Sequence, residues 1–324
     1  MAEPLHSADE RRAMTPAKSH IGFGFGVFPF TRFRDVGELV EVVERGDELG
    51  YEALMLPEHM LPPRWPDAEL STKFWYDLPT LAAYLAARTS RIKFLTSVLV
   101  VPYHQPVALA KALATLDVLS GGRVLCGVGA GWMKAEFRRL NIPFEERGAI
   151  TDEYLLAMKE LWTSDAPSFH GKYVSFEDVS FFPRPVQKPH IPILIGGTGP
   201  RPFQRAAAIG DGWIPMTATF VDLQHGIADI KARMTRIGRD PDALWVGFTG
   251  FSIGSDPEVR RMREHVDDGI ERPPVQDAEH AIAEIERYRA AGVTFLSVGL
   301  PWQNAADLMR GLEWFARKVM PAFQ

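Results

Sequence analysis

Short apolar runs alternate along this chain with segments whose apolar positions recur every three or four residues. The first run, "IGFGFGVFPF" at 21–30, stops at Pro29 and the polar stretch Thr31–Asp35 and predicts a strand. Leu39, Val40, Val43 and Leu49 then lie on one helical face over 36–50, and Gly50 stands where a helix end favours a residue tolerant of positive φ. "YEALMLPEHM" predicts a second strand, broken at Pro57. The alternation continues with a helix over 77–88, a strand over 91–101, a helix over 105–119, a strand over 123–128, and helices over 133–139 and 147–163. After an interruption it resumes with strand 191–197, helix 200–209, strand 212–216 and helix 222–236. It ends with strand 244–254, helix 257–268, a polar stretch over 267–277, helix 278–291, strand 294–300 and helix 304–319.

This order contains eight strands, each followed by helical sequence. Repeated βα units make parallel strands, and eight of them favour a closed barrel over an open doubly wound sheet. The expected fold is therefore α/β, a TIM-like (β/α)8 barrel with insertions. The interruption, "PSFHGKYVSFEDVSFFPRPVQKP" at 167–189, has alternating aromatics and prolines and predicts an inserted hairpin or extended arm. No linker divides the chain, so residues 20–324 are expected to form one barrel domain. Residues 1–19 are polar and are expected to be a flexible leader.

The barrel changes how the glycines read. A dinucleotide fingerprint is G-x-G-x-x-G in the first βα turn. Here Gly127, Gly129 and Gly131 alternate singly, in the fourth unit. Gly24 and Gly26 on the first strand, and Gly196, Gly197 and Gly199 on the fifth, suggest a flat ring or phosphate lying across the C-terminal mouth.

Composition narrows the partners. The formal net charge is −5 and no long basic run occurs, which disfavours nucleic acid and anionic membranes. No apolar stretch approaches the roughly 20 residues that span a bilayer, and the leader lacks a signal-peptide core. The single cysteine, Cys126, cannot form an internal disulfide, which fits a cytoplasmic protein.

Candidate chemistry gathers at strand ends. Glu58 and His59 follow the second strand, on the catalytic face of a barrel, where His59 can bond a ring ligand or relay a proton. "GGTGPRPF" at 196–203 joins glycines to a helix start and suits a phosphate, with Arg201 adding charge. Thr96 and Ser97 interrupt an apolar strand, and the simplest role for such a hydroxyl is a bond to the strand ladder. His104 reads as a loop residue. The aromatic stretch "KFWYDLP" at 73–79, in a long loop after the second strand, can shape a substrate pocket, as can the arm. Trp132, Trp162, Trp213, Trp245 and Trp314 read as core or pocket-wall residues. Neither a metalloprotease spacing nor a G-x-S-x-G elbow occurs.

Several stretches, taken in order, resemble the luciferase-like monooxygenase superfamily. They include "RGDELGYEALMLPEHM", "RIKFLTSVLVVPYHQPVALAKALATLDVLSGGRVLCGVGAGWMKAEF", "PFEERGAITDEYLLAMKELW" and "PRPVQKPHIPILIGG". The branch most similar is its deazaflavin (coenzyme F420)-dependent oxidoreductases. That resemblance implies a barrel of the bacterial luciferase type, often a homodimer, with cofactor at the C-terminal mouth. It implies His59 at the cofactor ring, Glu58 at an acidic position before it, and Ser97–Val98 at a non-proline cis peptide backing the ring. It also implies Gly129 and Ala130 close to the ring or its side chain, and Gly196, Gly197 and Thr198 at the phosphate with Tyr154. One departure stands out. Some deazaflavin dehydrogenases carry a glutamate directly after the fourth-strand glycines; this chain has Trp132, and Glu136 is too far along to be assumed as its substitute.

The expected activity is hydride transfer between reduced coenzyme F420 and a small organic substrate. The alternatives are an FMN-dependent monooxygenase fed by a partner flavin reductase, and a flavin-binding accessory protein without turnover.

Overall fold

The computed structural model describes residues 20–62, 75–216, 218–253 and 277–324. Eight parallel strands close on themselves: β1 (Gly22–Gly26), β2 (Ala53–Leu56), β3 (Lys93–Thr96), β5 (Val124–Gly129), β8 (Ile193–Gly196), β9 (Gly212–Ile214), β10 (Trp245–Ser252) and β11 (Phe295–Gly299). Closure runs through Phe94↔Val124 and Leu95↔Leu125 between β3 and β5, and through Gly22↔Phe295 between β1 and β11. A two-residue strand, β4 (Leu99–Val100), continues the line of β3 past Ser97–Val98 and pairs with β5 at Leu99↔Val128. The single strand expected over 91–101 is thus two. The inserted arm contains the antiparallel hairpin β6 (Phe169–His170) and β7 (Ser175–Phe176).

The helices are α1 (Val36–Glu48), α2 (Leu78–Ala86), α3 (Pro106–Ser120), α4 (Lys134–Arg139), α5 (Arg147–Thr163), α6 (Pro200–Ala208), α7 (Phe220–Arg236), α8 (Ala278–Ala290) and α9 (Ala305–Lys318). Side-chain caps fix several starts: Asp35 accepts from Glu38 N, Asp77 from Thr80 N and Asn304 from Asp307 N. α7 begins two residues before its expected start because Thr219 and Asp222 form a reciprocal capping box. The expected leader at 1–19 and the helix over 257–268 lie outside the described residues. Among the described residues no helix is long and apolar enough to cross a membrane.

Alternation along the strands makes two cores. Phe23 and Phe25 of β1 point outward, against Phe315 and Tyr51. Inside the barrel, Ala53, Met55, Leu95, Leu125, Leu194, Ile214, Trp245 and Phe295 are buried together. Trp245 stacks on Phe295 at 5.3 Å, filling the axis with two large rings. Gly24 is glycine because of that filling. A Cβ there would lie 2.5 Å from Phe295 Cζ and 2.5 Å from the Ala53 carbonyl oxygen, so both the ring and the neighbouring strand need the space. Gly127 has a backbone cause, since its Cβ would fall 2.0 Å from the Thr96 carbonyl oxygen. At the mouth end of β1, a Cβ on Gly26 would meet nothing within 4 Å.

These contrasts give a prediction. Gly127→Ala meets unyielding backbone and should cost about 3 kcal/mol or more, whereas Gly26→Ala should change stability by less than about 0.5 kcal/mol. Urea unfolding of both variants checks this; equal midpoints would contradict it.

Candidate functional site

At the mouth, β2 runs through Pro57 into two residues with opposite fates. Glu58 is buried. Its Oε2 accepts from Val100 N at 2.7 Å, and its Oε1 lies 2.9 Å from His104 Nε2. Glu58 therefore ties the end of β2 to β4 and to the loop before α3. His104, read from sequence as a loop residue, is its partner.

His59 faces the other way. Its Nδ1 lies 2.6 Å from Glu136 Oε2, and Tyr103 donates to the same oxygen at 3.1 Å. Glu136 Oε1 accepts from Met60 N and Leu61 N, each at 2.8 Å. The Glu136 side chain has 0% exposure, against 18% for His59. Burial alone would raise the Glu136 pKa. The His59 hydrogen bond and charge, with the two backbone donors, outweigh burial and hold it below the ordinary carboxylate value. An ionised carboxylate only accepts, so His59 donates from Nδ1, and Nε2 is the ring nitrogen left to serve a ligand. Among the described residues nothing bonds to Nε2. Trp75 and Trp132 stand edge-on to the imidazole, at 4.7 Å and 6.3 Å between ring centres.

Glu136 is the residue that sequence reasoning passed over. It lies four positions beyond Trp132, but the chain turns at Gly131, whose φ is 80°, and α4 brings its carboxylate to residues 59–61 after β2. Phe137, fully buried next to it, anchors that turn.

The next strand end supplies the floor. The Ser97–Val98 peptide is cis, where the resemblance implied one. A Cβ on Gly129 would lie 2.8 Å from Val98 Cγ2, and one on Gly196 2.9 Å from Val98 Cγ1. The isopropyl group thus sits between the ends of β5 and β8, and these two glycines admit it. Ser97 and Ala130 are half-buried beside it. Thr96 plays the expected ladder role, donating to Gly127 O at 2.6 Å.

Beyond β8, Gly197 and Gly199 have φ of 90° and 103°, conformations suited to glycine. A Cβ on Gly199 would meet nothing within 4 Å. Trp213 Nε1 fixes the loop by donating to Gly197 O at 2.8 Å. The α6 terminus is poorer in donors than its position suggests, because Pro200 and Pro202 have no N–H. The local donors are therefore the Thr198 hydroxyl and the amides of Gly197, Thr198, Gly199 and Arg201. Arg205 turns inward to Asp152 and to Gly148 O, joining α6 to α5. Tyr154, also on α5, is half-buried, and burial with neighbouring Glu153 raises its phenol pKa. Among the described residues, no group of His, Cys, Asp and Glu could hold a metal ion.

The model of the luciferase-like monooxygenase family matches residues 17–310. The chain belongs to that family. Members of the luciferase-like family are flavin- or F420-dependent oxidoreductases and monooxygenases. An uncharacterized protein of Mycobacterium tuberculosis is 30% identical over 307 residues, 91% of this chain and 98% of the relative. The F420-dependent glucose-6-phosphate dehydrogenase of Amycolatopsis mediterranei is 28% identical, covering 88% of this chain and 93% of that protein. The FMNH2-dependent dimethylsulfone monooxygenase of Pseudomonas putida is 32% identical over 182 residues, 55% of this chain and 49% of its own length. Among solved structures, the monooxygenase RslO1 of Streptomyces bottropensis superposes with a TM-score of 0.77 at 23% identity, covering 94% of this chain and 100% of that one.

The environment of Glu136 sets a pH-dependent contribution to stability. Its folded pKa lies below its ordinary 4.5, so its stabilisation is complete above that value and is lost as pH falls through the folded pKa. Glu136→Gln should cost about 1–3 kcal/mol at pH 7. The difference from the parent should shrink progressively below pH 4.5, as urea titrations at several pH values would show. A difference independent of pH would contradict this account.

Proposed function

We propose that this luciferase-like protein transfers hydride from reduced deazaflavin to an organic substrate, with His59 managing the proton. The observation that carries the reading is the 2.6 Å contact from His59 Nδ1 to the buried Glu136 carboxylate, which commits Nδ1 and leaves Nε2 for a ligand. The glycine openings at Gly26 and Gly199 fit a large planar group with a phosphate-bearing arm. When bound, the deazaflavin supplies the hydride.

In this reading Ser97, Val98, Gly129 and Ala130 support the ring. Gly196, Gly197 and Thr198, with Tyr154 nearby, hold the phosphate. His59, with Glu136 behind it, delivers a proton from Nε2 to the substrate atom that gains negative charge. Glu58 is a positioning residue: its bonds to Val100 N and His104 hold the segments on which His59 and Val98 stand.

An FMN-dependent monooxygenase with a partner reductase is the second reading, favoured by the 32% identity to the Pseudomonas putida enzyme. Titration of the purified protein with FMN and with F420 compares the cofactors. Anaerobic oxidation of reduced F420 across a carbonyl panel, set against oxygen uptake with reduced FMN, compares the reactions.

His59→Ala should lower turnover by about 10²-fold or more, the usual scale of lost acid–base catalysis. F420 affinity should fall by much less. Stopped-flow oxidation of reduced F420 and a separate binding titration check this, and unchanged turnover would remove His59 from the chemistry.

A further inference from the structure

The surroundings of His59 point to a class of substrate. Trp75 stands edge-on to the imidazole and stacks on Phe28 at 4.6 Å with an interplanar angle of 28°. Phe30 meets Tyr76 edge-on at 5.1 Å and extends this aromatic wall. Trp132 stands edge-on to the same imidazole with 68% of its surface exposed. Its backbone is held, because Arg147 donates to Gly131 O at 3.1 Å. A large indole left exposed on a held backbone at a barrel mouth is apolar area that a ligand can cover.

The charges nearby favour a neutral ligand. Arg147 also donates to Phe144 O and lies over the Phe144 ring at 3.8 Å. Lys134 lies over that ring at 5.1 Å, and Arg139 donates to Leu61 O at 3.0 Å. Arg32 donates to Trp302 O and lies over the Trp302 ring. Arg147, Arg139 and Arg32 are thus held by carbonyl oxygens, whereas an anionic substituent beside His59 would stand close to the Glu136 carboxylate.

We infer that the substrate is a flat, uncharged aromatic carbonyl compound, stacked on Trp132 with its oxygen at His59 Nε2. This rests on the hydride-transfer reading above. The step balances as a ketone reduction. Hydride from reduced deazaflavin forms the new C–H bond, the C=O π electrons move to oxygen, and the imidazolium proton on Nε2 completes the alcohol. The deazaflavin is oxidised by two electrons, the ketone is reduced by two, and solvent returns the proton to His59. Stacking on an indole contributes about 0.5–1.5 kcal/mol beyond the area buried, so Trp132 determines specificity.

Calorimetric titration of the full-length protein, with and without oxidised F420, tests this with 9-fluorenone as the aromatic ketone and glucose 6-phosphate as the anionic comparison. Fluorenone should bind at least tenfold more tightly than the sugar phosphate. Trp132→Ala should weaken fluorenone at least tenfold, Trp132→Phe by less than threefold, and neither should change F420 affinity more than twofold. Melting curves confirm that both variants are folded. Tighter binding of the sugar phosphate, or fluorenone affinity unchanged in Trp132→Ala, overturns the inference. F420 binding and its anaerobic turnover with the carbonyl panel are read separately. Failure there removes the hydride-transfer reading and the reduction step with it, while failure of fluorenone binding alone removes only the substrate class.

Discussion

The candidate site depends on one buried carboxylate. Glu136 accepts four hydrogen bonds, from two consecutive backbone amides, an imidazole and a phenol. A carboxylate taken out of water is costly unless its oxygens are matched, and four donors from two separate loops match these. The arrangement also transmits geometry. Met60 and Leu61 bind one oxygen, which fixes the chain just after His59, while His59 and Tyr103 share the other. The imidazole is thus held at its backbone and its ring by the same group, so its remaining nitrogen has a defined direction. Glu58 repeats the device one residue earlier, with His104 and Val100 N as donors. The adjacent residues 58 and 59 are therefore locked to the adjacent residues 103 and 104 through two carboxylates.

The barrel beneath makes that precision possible. Its axis is filled by Trp245 and Phe295 rather than by aliphatic layers alone. Rings of that size need small neighbours, and Gly24 is one of them. The same exchange of bulk recurs at the mouth, where the Val98 side chain lies between Gly129 and Gly196. Close-packed interiors resist the shift of any one strand end, so a side chain at the rim inherits the rigidity of the filled axis.

Much of this was legible in the sequence, and the rest was not for definite reasons. The eight strands and the helices among the described residues follow from the apolar pattern, because strands buried on both faces read as short apolar runs and the helices around them carry one apolar face. The start of α7 was displaced by a capping box, which depends on side-chain bonds rather than on apolar pattern. His59 could be singled out as a candidate because it stands at the C-terminal end of a barrel strand, the face on which such folds carry their chemistry. Glu136 could not, because its significance lies in a turn that brings α4 to the loop after β2, and sequence separation says nothing about that return. The loop after β8 was half legible. Its glycines mark the turn, but Pro200 and Pro202 take donors away from the helix start that the pattern appeared to offer.

The position after the fourth-strand glycines ties these threads together. A glutamate there would meet a ring ligand directly from the mouth. Trp132 at that position cannot donate a proton as an acid does, which on sequence alone limited the chemistry that could be assigned. In the proposed reading, Glu136 behind His59 places the acidic function one layer deeper, where it acts through the imidazole. On that proposal position 132 has no part in proton chemistry and its exposed indole is available to substrate. A buried acid also tolerates an apolar wall better than an exposed one would, since its charge is already matched by protein donors and does not need water at the mouth. The indole and the hidden carboxylate are, on this view, two halves of one arrangement, in which removing the acid from the surface allows the surface to become aromatic.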